Sequence, residues 1–323
     1  MWISLADGRY ECMSVYVVTG GAGFIGSHLV DHLVGQGEEV RVLDDFSSGK
    51  PENIRHNLEK IKLIEGSVAD LQTVRKAMEG ADYVLHHAAI ASVINSVEDP
   101  ISSHNANLTG ALNVLVAARD AGARRVVLAS SSAVYGDLPG LPKTEDMPTD
   151  CLSPYALTKL SGEQYCRMFT RLYGMETVAL RYFNVFGPRQ DPNSQYAAVI
   201  PKFLTRMLEG IPPTIFGDGL QSRDFTFVSN IVAANMLACH KPGIAGEALN
   251  IACGESFNLL DLVSGLNAAL GSSIEPVFEP ARPGEVKHSV AGIDKARSLL
   301  GFTPSIRFSD GLEKLVAWFK DSR

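Results

Sequence analysis

Val17-Val18-Thr19-Gly20-Gly21-Ala22-Gly23-Phe24-Ile25-Gly26-Ser27-His28-Leu29 is the stretch on which the rest of the chain is read. A short β-branched run enters a cluster of glycines, and a helical pattern leaves it. Gly20 and Gly23 permit a tight turn and a close backbone approach, and Gly26 lets the following helix pack on the strand. Phe24 and Ile25 stand at the opening of that helix, whose first N–H groups and positive dipole end suit a pyrophosphate. A glycine pattern alone is weak evidence; its place between a strand and a helix gives it weight. A second marker is Asp44, which closes the next β-branched run 18 residues beyond Gly26. A carboxylate there bonds both ribose hydroxyls and repels a 2′-phosphate. Asp45 and Phe46 supply no cation for such a phosphate, so NAD is expected rather than NADP.

Outward from this point, β-branched runs alternate with helical patterns. The runs are Val15–Thr19, Val40–Asp44, Ile61–Glu65, Tyr83–His87, Arg125–Ser130 and Thr177–Tyr182. Each is nearly all apolar, as in strands buried on both faces of a parallel sheet. Segments such as Ser27–Gly35 and Leu108–Ala121 are long enough for crossover helices. The repeated order predicts an α/β fold, a doubly wound parallel Rossmann sheet. After about residue 183 Gly and Pro become frequent, which predicts a smaller mixed C-terminal lobe. Ala248–Ala252 reads as one more strand returning to the main sheet. The expected boundaries are 13–183, with a return segment of about 226–254, for the nucleotide domain. The lobe takes 184–225 and 255–323, and residues 1–12 are an extension outside the fold.

Composition narrows the classes. The chain has 323 residues, 46% hydrophobic and 20% charged, with a net charge of −7. That is ample for a packed core. An acidic chain without a basic run excludes nucleic acid as a main partner. No apolar stretch approaches the ~20 residues that span a bilayer, so no membrane role is expected. The five cysteines, at 12, 151, 166, 239 and 253, are scattered without a C-x-x-C. Neither a disulfide framework nor a metal site is indicated, and reduced thiols in a cytoplasmic protein are the expectation. Met1–Cys12 lacks the basic-then-apolar order of a signal peptide.

The candidate chemistry lies at Tyr155 and Lys159, an i, i+4 pair sharing one helical face. Pro154 suits the first turn of that helix. A tyrosine with a pKa near ~10 is a poor base at pH 7. A nearby ammonium and a positive nicotinamide ring favour the phenolate and lower that pKa. Ser130-Ser131-Ser132 closes the fifth strand, and the carboxyl ends of parallel strands are where ligands bind. A hydroxyl there can bond a sugar oxygen.

These motifs together resemble the extended short-chain dehydrogenase/reductase family. They are the glycine stretch, Ser130-Ser131-Ser132-Ala133-Val134-Tyr135-Gly136, Tyr155-x-x-x-Lys159 and Leu180-Arg181-Tyr182-Phe183-Asn184-Val185-Phe186-Gly187-Pro188-Arg189-Gln190. Within the family the chain is most similar to UDP-hexose 4-epimerases, from residue 13 onward. Tyr196–Pro201, Gly217-Asp218-Gly219 with Ser222–Phe225, and Arg282-Pro283-Gly284-Glu285 resemble the UDP-N-acetylhexosamine branch.

The resemblance implies Tyr155 as acid/base, Lys159 as its electrostatic partner and Ser131 as bridging hydroxyl, with Ser132 beside it. It implies that Asn107 is structural near the active site, and that Ala88 and Ala89 line the adenosine and pyrophosphate groove. Asn184, Arg223 and Arg282 meet the substrate diphosphate, and Glu285 the uridine ribose. Where the family often has an Asp for the adenine amine, this chain has Gly66-Ser67-Val68, so Ser67 or the Val68 backbone takes that part. At Ser289 the family's bulky aromatic is replaced by a small residue, which leaves room for an N-acetyl group. The resemblance also implies a homodimer through helices around 98–120 and 154–172.

Other readings on the same fold are weighed by residue. Dehydratases carry an Asp-Glu pair after the strand-five hydroxyl; Ser132 and Ala133 stand there instead, against dehydration or decarboxylation. A reductase needs exchangeable NADPH, which Asp44 opposes. A non-catalytic NAD-binding sensor need not keep Tyr155 and Lys159 together. A UDP-glucuronate 4-epimerase stays open, because carboxylate contacts leave no mark in a sequence.

Overall fold

The computed structural model describes residues 2–4, 10–191, 199–281 and 287–321. Its main strands are β1 (Val15–Thr19), β2 (Glu39–Asp44), β3 (Ile61–Glu65), β4 (Tyr83–His86), β5 (Arg125–Ser131), β6 (Glu176–Tyr182) and β7 (Glu247–Ile251). They form one sheet in the order β7-β6-β5-β4-β1-β2-β3. The pairings from β3 across to β5 are parallel. Parallel neighbours need long crossovers. Helices α1 (Phe24–Gly35), α2 (Leu71–Met78), α3 (Gly110–Asp120) and α4 (Pro154–Tyr173) provide them. The chain winds outward from β1 to β3, then returns to place β4 on the other side of β1. The winding direction therefore reverses between β1 and β4, the place where open α/β sheets bind ligands.

The α/β, doubly wound fold is the one expected from the alternation of runs, and each strand lies within two residues of its expected bounds. One expectation fails. β3 is mostly exposed, because it is the last strand in the order and has a neighbour on one side only. Its apolar run reads like that of a central strand although it is an edge.

Local chemistry explains the helix that carries the candidate pair. Ser153 caps α4 by accepting from the Ala156 amide, Pro154 occupies the first turn, and Gly174 ends the helix in the left-handed region. These are standard start and stop signals. The sheet and α3–α4 enclose a core that includes Val17, Leu43, Val84, Val126, Leu115 and Phe169.

The chain forms two compact units. The first comprises Met1–Ser130, Ser153–Leu180 and Asn235–Ala248; the second comprises Ser131–Leu152, Arg181–Ala234 and Leu249–Arg323. These bounds differ from those expected, chiefly in two places, while the first unit also takes in the N-terminal segment and ends at Leu180, not 183. Ser131–Leu152 belongs to the second unit. There the Lys143 amide donates to the Val290 carbonyl, and Asn250 Nδ2 donates to the carbonyls of Lys143 and Gly292. The return segment in the first unit is the shorter Asn235–Ala248. The buried Arg125 guanidinium donates to the Ala238 and Lys241 carbonyls, and Tyr16 Oη lies 2.9 Å from His240 Nε2. Such long-range polar ties have no local sequence signature.

In the second unit Phe186 meets Phe225, Phe227 and Phe308 edge-on, and Phe257 stacks on Phe308. Trp2–Ser4 pairs antiparallel with Tyr10–Cys12. Among the described residues no helix is long and apolar enough to cross a membrane.

Candidate active site

Thr19 ends β1, and the chain turns at Gly20 with φ 68°. A Cβ on Gly20 would lie 2.7 Å from the Ala88 amide nitrogen, so the exits of β1 and β4 approach as closely as backbone allows. A Cβ on Gly26 would lie 2.0 Å from the Gly20 carbonyl oxygen. The turn and the first coil of α1 are thus in direct backbone contact, as the glycine spacing requires. Gly23 takes the N-cap position without a side-chain cap, and Phe24 and Ile25 follow as the first helical residues.

Asp44 closes β2 with a buried carboxylate. Its Oδ2 accepts from the Ala22 amide at 2.8 Å and its Oδ1 from the Phe46 amide at 2.9 Å. Burial raises its pKa, and the two N–H groups oppose that. An ionised carboxylate has about four acceptor sites, so two stay available for a ribose diol. A side chain at Gly49 would fall 2.7 Å from Asp44 Oδ1. The turn, the uncapped helix start and this carboxylate are the donor set and the space that NAD requires, and the residues fit that group.

The other expected cofactor residues line the same unit. The Ala88 amide donates to Thr19 Oγ1, which also lies 2.7 Å from His86 Nδ1. Ala89 is half-buried just beyond. Ser67 Oγ accepts from the Ala69 amide. Val68 is buried with its carbonyl held by Asn113, and its side chain fills the space beside Gly110. Asn107 sits in a π-helical turn, Asn105–Thr109, a distortion common near functional sites. Its Oδ1 accepts from the Ile90 amide, and its Nδ2 donates to the Ile90 carbonyl and to Thr158 Oγ1. It therefore ties the loop after β4 to α4, one residue before Lys159.

The expected pair is brought together. Lys159 Nζ lies 5.8 Å from the centre of the Tyr155 ring. The ammonium is buried and donates to the Ala129 carbonyl of β5 at 2.9 Å. Burial pulls the Lys159 pKa down to about 8. Burial, with the Lys159 charge added, also pulls His86 and His87 down to about 3. Both imidazoles are neutral at pH 7, so the charge beside Tyr155 is that of Lys159.

A pH dependence follows. The ammonium is present below about pH 8 and lost above it, so a step that relies on it declines on the alkaline side near that value. The rate measured from pH 6 to 10 should show this limb, and a flat profile to pH 10 would contradict it. The effect on stability has the opposite sense. Between about 8 and the ordinary lysine value the unfolded chain binds the extra proton, so stability rises with pH across that window.

The expected substrate residues lie in the second unit. Ser131 is the last residue of β5, and its Oγ accepts from the Ala133 amide. Ser132 opens the short 3₁₀ turn that follows. Asn184 holds φ 33°, and its Nδ2 donates to the Asp224 carbonyl. Ser222–Arg223 pairs in parallel with His288–Ser289, setting Arg223 opposite Ser289. Arg223 Nη1 donates to the carbonyls of Ser222 and Lys287. Arg282 and Glu285 lie outside the described residues.

Sequence reasoning missed three participants. Ser96 Oγ accepts from the Tyr155 amide. Buried Ser130 donates its hydroxyl to buried Glu163. Asp224, fully buried beside Arg223, accepts three backbone amides. A signal existed for Glu163, which stands four residues after Lys159 on the same helical face.

The model of the NAD dependent epimerase/dehydratase family matches residues 16–252. The chain belongs to this family. The chain is 38% identical to the UDP-glucose 4-epimerase of Mycolicibacterium smegmatis, over 94% of this chain and 98% of the relative. Its structure matches the UDP-N-acetylglucosamine 4-epimerase of Methanobrevibacter ruminantium M1, solved in complex with UDP-N-acetylmuramic acid. That match has a TM-score of 0.92 and 41% identity, over 97% of this chain and all of the other. It also matches the UDP-glucuronic acid 4-epimerase of Bacillus cereus, solved with UDP-glucuronic acid and NAD. There the TM-score is 0.87 and the identity 34%, over 96% of this chain and all of the other. The protein is accordingly an NAD-dependent isomerase.

Proposed function

We propose that the protein inverts C4 of a UDP-hexose through a 4-keto sugar, with NAD as the resident cofactor. The observation that carries this reading is the Tyr155–Lys159 pair, anchored to β5 in the same unit as the dinucleotide crevice. NAD would lie on the Gly20–Gly26 turn and Asp44, and when bound it takes a hydride from the sugar and gives it back. Tyr155 removes the proton of the 4-hydroxyl and later restores it. The Lys159 ammonium favours the phenolate that this requires. Ser131 is assigned as a hydroxyl that bonds the sugar.

No net oxidation results, so the protein must hold the nucleotide firmly and leave the sugar free to turn. Asn184, Arg223, Arg282 and Glu285 are assigned to the nucleotide. Guanidinium forks stay charged and grip phosphate bidentately. The small Ser289 leaves space for an N-acetyl group, and UDP-GlcNAc/UDP-GalNAc with UDP-Glc/UDP-Gal is the proposed substrate range. UDP-GlcA is tested beside them because a glucuronic acid 4-epimerase is among the similar structures. Each sugar nucleotide is incubated separately and the product configuration read by proton NMR. Inversion of none of them overturns the assignment. Ser289→Tyr should depress turnover of N-acetylated substrates by about 10-fold or more relative to UDP-Glc, the scale of a few lost contacts in a pocket. Equal losses on both would show that another residue sets the space.

The protein is also proposed to pair with a second copy through the helices around 98–120 and 154–172. Val97, Ile101, Leu157 and Leu172 are exposed apolar residues on these elements, Ile101 at 72% and Leu172 at 64%. Leu115 is instead in the core, with Leu112 packed against it. Sedimentation equilibrium should return twice the chain mass; a single-chain mass at micromolar concentration counts against pairing.

A further inference from the structure

Two segments of the second unit converge on the Asp224 side chain, and a third meets its backbone. Asp224 is fully buried. Its Oδ1 accepts from the Cys253 amide at 3.0 Å, and its Oδ2 from the amides of Gly254 at 2.9 Å and Ala291 at 3.2 Å. Its own carbonyl accepts from Asn184 Nδ2 at 3.2 Å, while the Asn184 carbonyl accepts from the Thr226 amide. Asn184 is held at φ 33°, in the left-handed region. Arg223, one residue before Asp224, is in register with Ser289, two residues before Ala291.

The chemistry of the hub is specific. Three backbone donors point at two oxygens, and an ionised carboxylate offers acceptors on both without a competing O–H donor. An amide in its place would turn an NH₂ group toward a backbone N–H. Burial pushes the Asp224 pKa up to about 6 and the three N–H groups oppose this, so the carboxylate is charged at neutral pH in a place that disfavours charge. A buried polar group of this kind is costly unless its partners are well placed.

We propose that Asp224 is the positioning residue of the substrate site. It sets the spacing of Asn184, Arg223 and Ser289, and so governs how the diphosphate is held and how much room the sugar has. Its two carboxylate oxygens are engaged by the amides of Cys253, Gly254 and Ala291, so it acts through these segments and not as a ligand. This rests on the reading of Asn184 and Arg223 as ligands of a UDP-sugar. Its effect should appear in binding of UDP and in KM, and leave NAD retention and kcat nearly untouched.

The test uses NAD-loaded enzyme. Asp224→Asn should weaken UDP binding in calorimetry by about 10-fold or more, the scale for a lost hydrogen bond to a charged group. KM for the sugar nucleotide should rise in step, with kcat within about 3-fold and bound NAD unchanged. Wild-type enzyme supplies a second reading that does not depend on the variant folding. UDP should slow hydrogen exchange at the amides of Cys253, Gly254 and Ala291 if their carboxylate partner is coupled to the bound diphosphate. Equal UDP affinity in the variant, or amides unmoved by UDP when the variant does not fold, overturns the role of Asp224 alone. Failure of wild-type enzyme to bind UDP at all overturns the substrate reading and this role with it.

Discussion

Tyr155→Phe should yield a folded, NAD-loaded protein whose turnover is lower by about 10²–10⁴-fold, the range supplied by a placed acid/base. Two structural ties of this residue run through its backbone. Its amide donates to Ser96 Oγ and its carbonyl accepts from Thr158 Oγ1. A phenylalanine keeps both, along with the half-buried ring. Only the hydroxyl is removed, from a ring whose centre lies 5.8 Å from the Lys159 ammonium. Three measurements separate this from damage to the fold: steady-state turnover of a UDP-sugar, NAD released on denaturation, and the thermal transition. Retained NAD and an unshifted transition with lost turnover are expected. Turnover near that of the wild type would remove Tyr155 from the mechanism and leave the proposed epimerisation without its base.

The second large effect is expected at Gly26. An alanine methyl there meets the Gly20 carbonyl oxygen at 2.0 Å, the Gly20 carbonyl carbon at 2.8 Å and Gly21 Cα at 2.9 Å. All are backbone atoms of the turn, so no side chain can swing away. The helix and the turn must part, at about 1–3 kcal/mol for overpacking. The distortion falls on the residues assigned to the pyrophosphate. A loss of that size corresponds to roughly 5- to 150-fold in NAD affinity, measured by calorimetry on enzyme stripped of cofactor. Gly35, later in the same helix, has nothing within 4 Å of its would-be Cβ. Gly35→Ala is the matched control and should bind NAD normally. Equal behaviour of the two variants would mean that the turn is not the cofactor cradle.

What the sequence disclosed follows from what each feature needs. The glycine turn, Asp44 and the Tyr155–Lys159 pair are local patterns, since steric need, strand end and helical spacing each lie within a few residues. In the structure the Lys159 Nζ lies 5.8 Å from the centre of the Tyr155 ring. Ties between distant segments are another matter. Asp224 stands in the Ser222–Phe225 motif, yet its partners are 29, 30 and 67 residues away. The stretch Ser131–Leu152 reads as part of the first domain because it follows β5, and only bonds such as Lys143 to Val290 assign it elsewhere. The edge position of β3 is likewise a property of strand order, which apolar runs do not encode.

The double duty of Asp44 bears on how such a protein can evolve. The selectivity against a phosphorylated coenzyme proposed for Asp44 would depend on the same two oxygens that brace the amides of Ala22 and Phe46. A mutation toward the other coenzyme would release both braces in the same step, before any new contact formed. Descendants of this chain would have to acquire another anchor for the turn first, so the route to altered coenzyme use passes through an intermediate that gains nothing on its own.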